Sequence, residues 1–274
     1  MIDWDSEWSK AHERSPLKVT RDNEGRWREF WSMDADYYLE EVRSEAGFYG
    51  SVVDRLCREN WLRKDDRVLD IGCGPGTLSI PLSEKARSVT ALDEAEGMLN
   101  TLRGEIGARG IENIVTHRSS WMEAGYEDDF DLVLASLSPA IRSGRDMLAM
   151  ERASRDRCCL ITACPSEWMT VRNELWEKVV GSFTPSDAHS IRYPMNVLLD
   201  RKRAPELFQV RARTVVGHPS SEVVEHYLRY FGIFTTVDEE RARTIEEHVM
   251  SRSKDGFFER RGEKCLYLLC WRKG

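Results

Sequence analysis

The stretch Arg67-Val-Leu-Asp-Ile-Gly-Cys-Gly-Pro-Gly-Thr-Leu-Ser79 is an apolar run that breaks into a glycine-rich turn and then resumes helical spacing. Val68, Leu69 and Ile71 suit a strand in the middle of a parallel sheet covered on both faces. Asp70 interrupts the run. A carboxylate there is desolvated, so it needs hydrogen bonds from the turn or, through water, a ligand ammonium. Gly72, Gly74 and Gly76 alternate, which allows positive φ and lets backbone approach a ligand with no Cβ in the way. Pro75 stiffens the turn. The G-x-G-x-G spacing departs from the G-x-G-x-x-G of a dinucleotide-binding turn, and no Gly-Lys-Ser/Thr follows as in a P-loop. The reading is strand, nucleoside loop without phosphate contacts, helix.

Outward from this stretch, residues 88–93 form a second apolar strand that ends in an acid. Asp93 lies roughly 20 residues beyond the glycine loop, where a carboxylate at a neighbouring strand tip can take both hydroxyls of a ribose. Further strands are expected at 113–117, 127–136, 157–163, 207–216 and 265–271. Helical spacing occupies 34–60, the segment after the glycine loop, 144–154, 166–183, 220–231 and 238–254. Alternating strands and helices predict a doubly wound α/β sheet. In such sheets ligands bind beyond the carboxyl ends of the strands. That edge collects 70–76, Asp93, 119–121, 136–139, 163–165 and 217–218.

The Asp70-x-Gly72-x-Gly74-x-Gly76 pattern after an apolar strand resembles the first motif of the class I, Rossmann-like S-adenosylmethionine-dependent methyltransferases. The resemblance covers residues 40–165 well and the remainder by layout. It implies a mostly parallel seven-stranded sheet, with an antiparallel strand near the C-terminus, and S-adenosyl-L-methionine as cofactor. The implied cofactor-binding residues are Asp70, Gly72, Cys73, Gly74, Gly76, Asp93, Glu94, Met98, Ser119, Ser120, Trp121 and Ser136. Within that set, Met98 stands where the family packs an apolar residue against adenine. Ser119, Ser120 and Trp121 stand where the family usually has an aspartate for the adenine amino group, so a hydroxyl or backbone carbonyl would replace it and Trp121 would cover the ring. Residues 136–140 fall beside the transferring methyl. Some amino-group methyltransferases carry Asn/Asp-Pro-Pro-aromatic there, whereas this chain keeps only Ser138 and Pro139, so that chemistry is not carried over.

The N-terminal segment interleaves Trp4, Trp8, Trp27 and Trp31 with charges, each pair at i, i+4 spacing on one helical face. Two readings stand: short amphipathic helices docked on the core, or an aromatic lid. The expected organisation is an N-terminal helical segment over 1–60, a possible lid, and a core over 61–274 with a helical insertion at about 219–262. Trp27, Trp31, Tyr37 and Tyr38, with Ser138 and Pro139, are the candidate walls for a small planar or cationic acceptor. Methyl transfer needs a general base only for acceptors that start protonated, and His218, His189 and Tyr193 are the candidates by location.

With net charge −7 and interspersed signs, the chain lacks the electrostatic footprint of a nucleic-acid binder. A small-molecule acceptor is expected. An RNA or protein methyltransferase, or a non-catalytic binding module, is the alternative. No membrane span and no apolar leader stand out, so the expected compartment is the cytoplasm. Seven cysteines without a Cys-x-x-Cys pair argue against both a disulfide framework and a metal site, and Cys158, Cys159, Cys265 and Cys270 are expected as free core residues. The sequence sets no oligomeric state.

Overall fold

The computed structural model describes residues 2–20, 22–164, 170–181 and 187–274. The expected helix over 166–183 is therefore described only as α8 (Thr170–Val179), and Pro165 and Trp168 lie outside the described residues. The strands are β1 (Arg67–Ile71), β2 (Ser88–Asp93), β3 (Ile114–Arg118), β4 (Phe130–Ser136), β5 (Ser154–Ala163), β6 (Glu206–Pro219) and β7 (Phe257–Arg272). They form one sheet in the order β3-β2-β1-β4-β5-β7-β6. β7 is antiparallel to both its neighbours, and the other described pairings are parallel. This is the seven-stranded, mostly parallel architecture that the first motif implies. Strand order reverses between β1 and β4, so a crevice opens where Ile71 and Ala135 lie side by side.

Alternation along the strands divides the core. Val68, Val89, Leu132 and Leu134 pack under α4 (Ala46–Arg58), α5 (Ser79–Ser83) and α6 (Glu96–Arg109). Leu69, Ile71, Val133 and Ala135 pack under α1 (Trp4–Arg14), α7 (Gly144–Ala153) and α9 (Arg192–Asp200). Such strands read as near-continuous apolar runs because both faces are dry. A third cluster joins α2 (Glu24–Met33), α8, α10 (Ser220–Gly232) and α11 (Glu239–Met250), with Phe30, Trp176, Phe231 and Ile245 buried in it.

β6 and β7 run longer than the sequence pattern predicts. β5 ends with Ala163 opposite Leu266, but β6 and β7 stay paired from Ala212–Lys264 out to Pro219–Phe257. At about 3.3 Å per residue this two-stranded ribbon overhangs the carboxyl edge of the sheet by roughly 25 Å. Residues 257–264 carry no apolar run, which is why β7 is expected only from 265. Alternate residues instead point to solvent (Glu259, Arg261, Glu263) or inward (Phe258, Arg260, Lys264). The inward cations are met by α3 (Ala35–Ser44) and α4: Arg260 pairs with Glu41 at 3.0 Å, and buried Lys264 pairs with Glu45 and donates to the Tyr49 hydroxyl at 2.8 Å.

One cysteine expectation is corrected. Cys265 is not free but bonded to Cys164, across a Cα separation of 5.3 Å. Cys164 follows the end of β5 and donates its amide to the carbonyl of Cys265, which lies within the neighbouring β7. Cys158, Cys159 and Cys270 are free and buried, as expected.

Candidate functional site

The chain leaves β1 through three glycines with positive φ: 69° at Gly72, 56° at Gly74 and 96° at Gly76. Each has its own reason. A Cβ on Gly72 would collide with Ser138 Oγ, and one on Gly76 would come within 2.5 Å of Leu102 Cδ1. A Cβ on Gly74 would meet only Tyr38 Cε1 at 3.6 Å and Met98 Sδ at 4.0 Å, so the middle of the loop is an open cradle walled by those two side chains. Ser138 reaches Gly72 because β4 ends in a left-handed residue, Leu137 at φ 51°. A branched residue in that region is strained and needs its surroundings to hold it. Its amide is held by Ile161 O at 2.9 Å. The sequence carries no signal for this turn.

Two carboxylates flank the cradle. Asp70 is buried and accepts from Ser79 Oγ at 2.6 Å. Burial pushes its pKa up to about 7, the Ser79 hydrogen bond opposes the rise, and the neighbouring Asp93 charge adds to it. Asp93 accepts from Gly74 N through Oδ2 and from Ala95 N through Oδ1, both at 2.9 Å. Burial raises its pKa too, against those backbone hydrogen bonds. Among the described residues neither acid pairs with a cation. A ligand bearing positive charge and hydroxyls fits this donor set.

The N-terminal helices close one side. Trp31 and Tyr38 pack on Ala35, Ala95 and Met98, and a Cβ on Gly97 would run into the Ser32 backbone, so α2 sits directly on α6. α1 reaches the other side, where Asp5 accepts from Gly144 N at 2.7 Å at the start of α7.

Beyond the cradle lies a cleft between α3 and the ribbon, lined by Tyr37, Glu41, His218, Tyr227 and Arg260 among apolar side chains. His218 stacks on Tyr37, ring centroids 4.1 Å apart at 22°, and His226 stacks on Tyr37 at 4.5 Å. His226 Nδ1 in turn meets buried Asp34 at 2.7 Å, and Arg229 Nη2 donates to the same carboxylate at 2.9 Å.

Residues 68–155 match the family model described as methyltransferase domain. This part of the chain is a methyltransferase domain. An uncharacterised protein of Haemophilus influenzae is 32% identical over 140 residues, which is 50% of this chain and 49% of that one. Aklanonic acid methyltransferase of a Streptomyces strain is 40% identical over 77 residues, covering 27% of this chain and 35% of its own. Ribosomal RNA small subunit methyltransferase A of Magnetococcus marinus is 40% identical over 65 residues, covering 24% and 23%. The chain thus spans about half, or less, of the length of these curated relatives. Among solved structures, the YcgJ protein of Bacillus subtilis superposes with a TM-score of 0.51 at 16% identity, over 77% of this chain and 93% of that one, which is a likeness of fold.

Within the methyltransferase domain the structure brings Asp70, Gly72, Cys73, Gly74, Gly76, Asp93, Met98 and Ser138 to one edge. Cys73 is buried, and burial raises its thiol pKa well above the ordinary range. Ser119 donates its amide to Asp93 O at 3.2 Å, while Ser120 turns to Glu123. Glu94 and Pro139 are exposed, and Ser136 is half-buried at the end of β4. Trp121 is buried and donates to Asp146 O at 3.3 Å, which ties it to α7. Trp27 packs within the third cluster, against Phe30 and Phe234. His189 and Tyr193 lie apart from His218: His189 meets His12 of α1, and Tyr193 packs on Trp4 and donates to Asp187. Glu41, Tyr227 and Arg260 escape a sequence reading because they converge only when the ribbon folds over α3. Among the described residues no group of three His, Cys, Asp or Glu side chains could hold a metal ion, and no helix is long and apolar enough to cross a membrane.

Proposed function

We propose that this chain transfers the sulfonium methyl of S-adenosyl-L-methionine to a small-molecule acceptor in the cytoplasm. The observation that carries the reading is the open glycine cradle flanked by buried Asp70 and half-buried Asp93, with no cation between them among the described residues. An adenosyl sulfonium amino acid supplies the missing positive charge and the hydroxyls. Asp93 would take the ribose hydroxyls, since each of its oxygens keeps a lone pair beyond the backbone hydrogen bonds it already accepts. Asp70 would serve the ammonium, Met98 the adenine face, Ser119 and Ser120 the adenine rim, and Ser138 beside Gly72 the edge nearest the donor. Ser136, Glu94, Cys73 and Trp121 would complete the surroundings.

The bound cofactor supplies an already activated methyl group, so the chain's task is to position two reactants and exclude water. Residues 1–60 and the helices after β6 bear on that task. α2, α8, α10 and α11 share one apolar cluster around the described edge, an arrangement suited to enclosing a small acceptor rather than admitting a polymer. Names among the relatives point both to ribosomal RNA and to a small molecule, and the enclosure together with the net charge of −7 favours the latter. Titration calorimetry with S-adenosylhomocysteine tests the cofactor, and single-copy binding is expected. Formation of S-adenosylhomocysteine against a panel of small acceptors and of structured RNA tests the reaction. Turnover on RNA alone would overturn the choice of acceptor class.

A further inference from the structure

We infer that the cleft between α3 and the ribbon binds an acceptor through a neutral hydroxyl group, and that His218 is the catalytic base that takes its proton. The inference rests on the methyl-transfer reading and names the acceptor chemistry of that site. His218 is buried, with its side chain only 5% exposed, yet its Nε2 has no hydrogen-bond partner. Leaving such an atom unmade is costly, which marks it as a place for a ligand donor. Glu41 Oε1 lies 3.8 Å away, too far to accept from a neutral ring but close enough to stabilise an imidazolium.

The charges around the ring decide what the ligand is. Burial lowers the pKa of His218, and Arg260 and His226 lower it further, while Glu41 and Glu222 raise it. Tyr37 and Tyr227 also line the cleft, and burial keeps both protonated, with Tyr227 pushed up to about 12. The ring is thus neutral at rest. Glu41 and Arg260 offset one another at 3.0 Å, so an anionic ligand group meets Glu41 and a cationic one meets Arg260. A hydroxyl meets neither objection: its O–H donates to Nε2. The cleft holds about 320 Å³ of empty space including its mouth. Val171, Val216, Val223 and Phe258 offer apolar walls to the rest of the molecule.

Helix α3 ties the cleft to the cradle. Tyr38 lies against Gly74 while Tyr37, one residue earlier, lies on the face of His218. In the transfer, the acceptor oxygen forms the new C–O bond, the electron pair of the broken C–S bond stays on the donor sulfur, and the hydroxyl proton passes to His218 Nε2. The resulting imidazolium is held by Glu41 and by the stacked Tyr37 ring.

Nitrogen-15 NMR of the histidine side chains in the cofactor-free chain tests this, with phenol as the probe and His218→Gln to identify the resonance. Should that variant fail to fold, Glu41→Gln identifies it by moving one histidine's titration. Phenol is expected to shift the Nε2 signal of His218 and to leave the other histidines unmoved, while benzoate and benzylamine leave His218 in place. A His218 signal indifferent to phenol, or equally moved by benzoate, overturns the inference. Glu41→Gln is expected to lower the pH at which His218 titrates, because the Glu41 charge raises it; an unchanged midpoint overturns the role given to Glu41. Calorimetry with S-adenosylhomocysteine on the same protein reports separately on the cofactor reading, because neither measurement needs the other to succeed.

Discussion

The glycine cradle and the ribbon cleft are neighbours on one sheet edge, yet they handle charge in opposite ways. In the cradle, buried Asp70 and half-buried Asp93 have hydrogen bonds to hold them and no ion pair among the described residues, and both pKa values are raised. In the cleft, Arg260 has its counterpart in Glu41, as Lys264 has in Glu45 further along the ribbon, and what is left over is a neutral nitrogen. A site that waits for a cation is built from unbalanced acids, and one that waits for a neutral group is built from balanced pairs. The two halves of a transfer reaction can therefore be told apart by their electrostatics before any ligand is seen.

The sharpest way to break this contrast is at the loop. Gly74→Val should abolish binding of S-adenosylhomocysteine, because a β-branched side chain is badly tolerated at φ 56° and would fill the cradle. Calorimetry on a variant of native circular dichroism decides it, and retained affinity would mean the cradle is not the cofactor site. The unbalanced acid itself should be visible as a pH effect. Because the folded-state pKa of Asp70 is raised from 3.8 to about 7, the native chain binds more protons than the unfolded one between those values. Stability of the cofactor-free chain should accordingly fall as pH rises through that window, by about 4 kcal/mol across the whole of it, and Asp70→Asn should remove the fall. Denaturant titrations at about pH 5 and about pH 8 measure roughly 2–3 kcal/mol of that difference.

Asp93→Ala should weaken S-adenosylhomocysteine by about 2–3 kcal/mol, the scale of losing charge-assisted hydrogen bonds to two hydroxyls. An unchanged dissociation constant in a folded variant would remove Asp93 from the site. The smallest effect belongs to the balanced side. Arg260→Gln should lower stability by about 1–2 kcal/mol, since it leaves Glu41 without its cation, and should change S-adenosylhomocysteine affinity less than about twofold. A large loss of cofactor affinity there would join the two sites that the contrast separates.

The cradle was legible in the sequence because it is local. Asp70, the alternating glycines and Asp93 sit within one strand–turn–helix–strand unit whose spacing carries the chemistry, and the apolar runs of β1, β2 and β4 follow from burial on both faces. The cleft was only half legible. Tyr37, Tyr38 and His218 could be named from position, but Glu41 and Arg260 are 219 residues apart and meet through tertiary folding alone. Residues 257–262 were expected in the helical insertion but begin β7, since a strand that buries cations beside acids has no apolar signature. The Cys164–Cys265 bond was hidden for the same reason: its halves are 101 residues apart, and spacing rules look for near neighbours.

The position of β7 carries a consequence for how this chain is made. It follows β6 along the chain, yet it lies inside the sheet between β5 and β6. Until β7 leaves the ribosome, β6 has no partner and the apolar edge of β5 is bare. The N-terminal helices wait as well, because Trp8 is tied to Ala188 and Asp34 to Arg229, contacts 180 and 195 residues apart. Closing such long loops is slow, so α1 and α2 are made before the sheet yet dock after it. The nascent chain can complete its nucleoside-binding half first and roof it afterwards, and deletion of β7 should leave both the sheet edge and the roof exposed to aggregation.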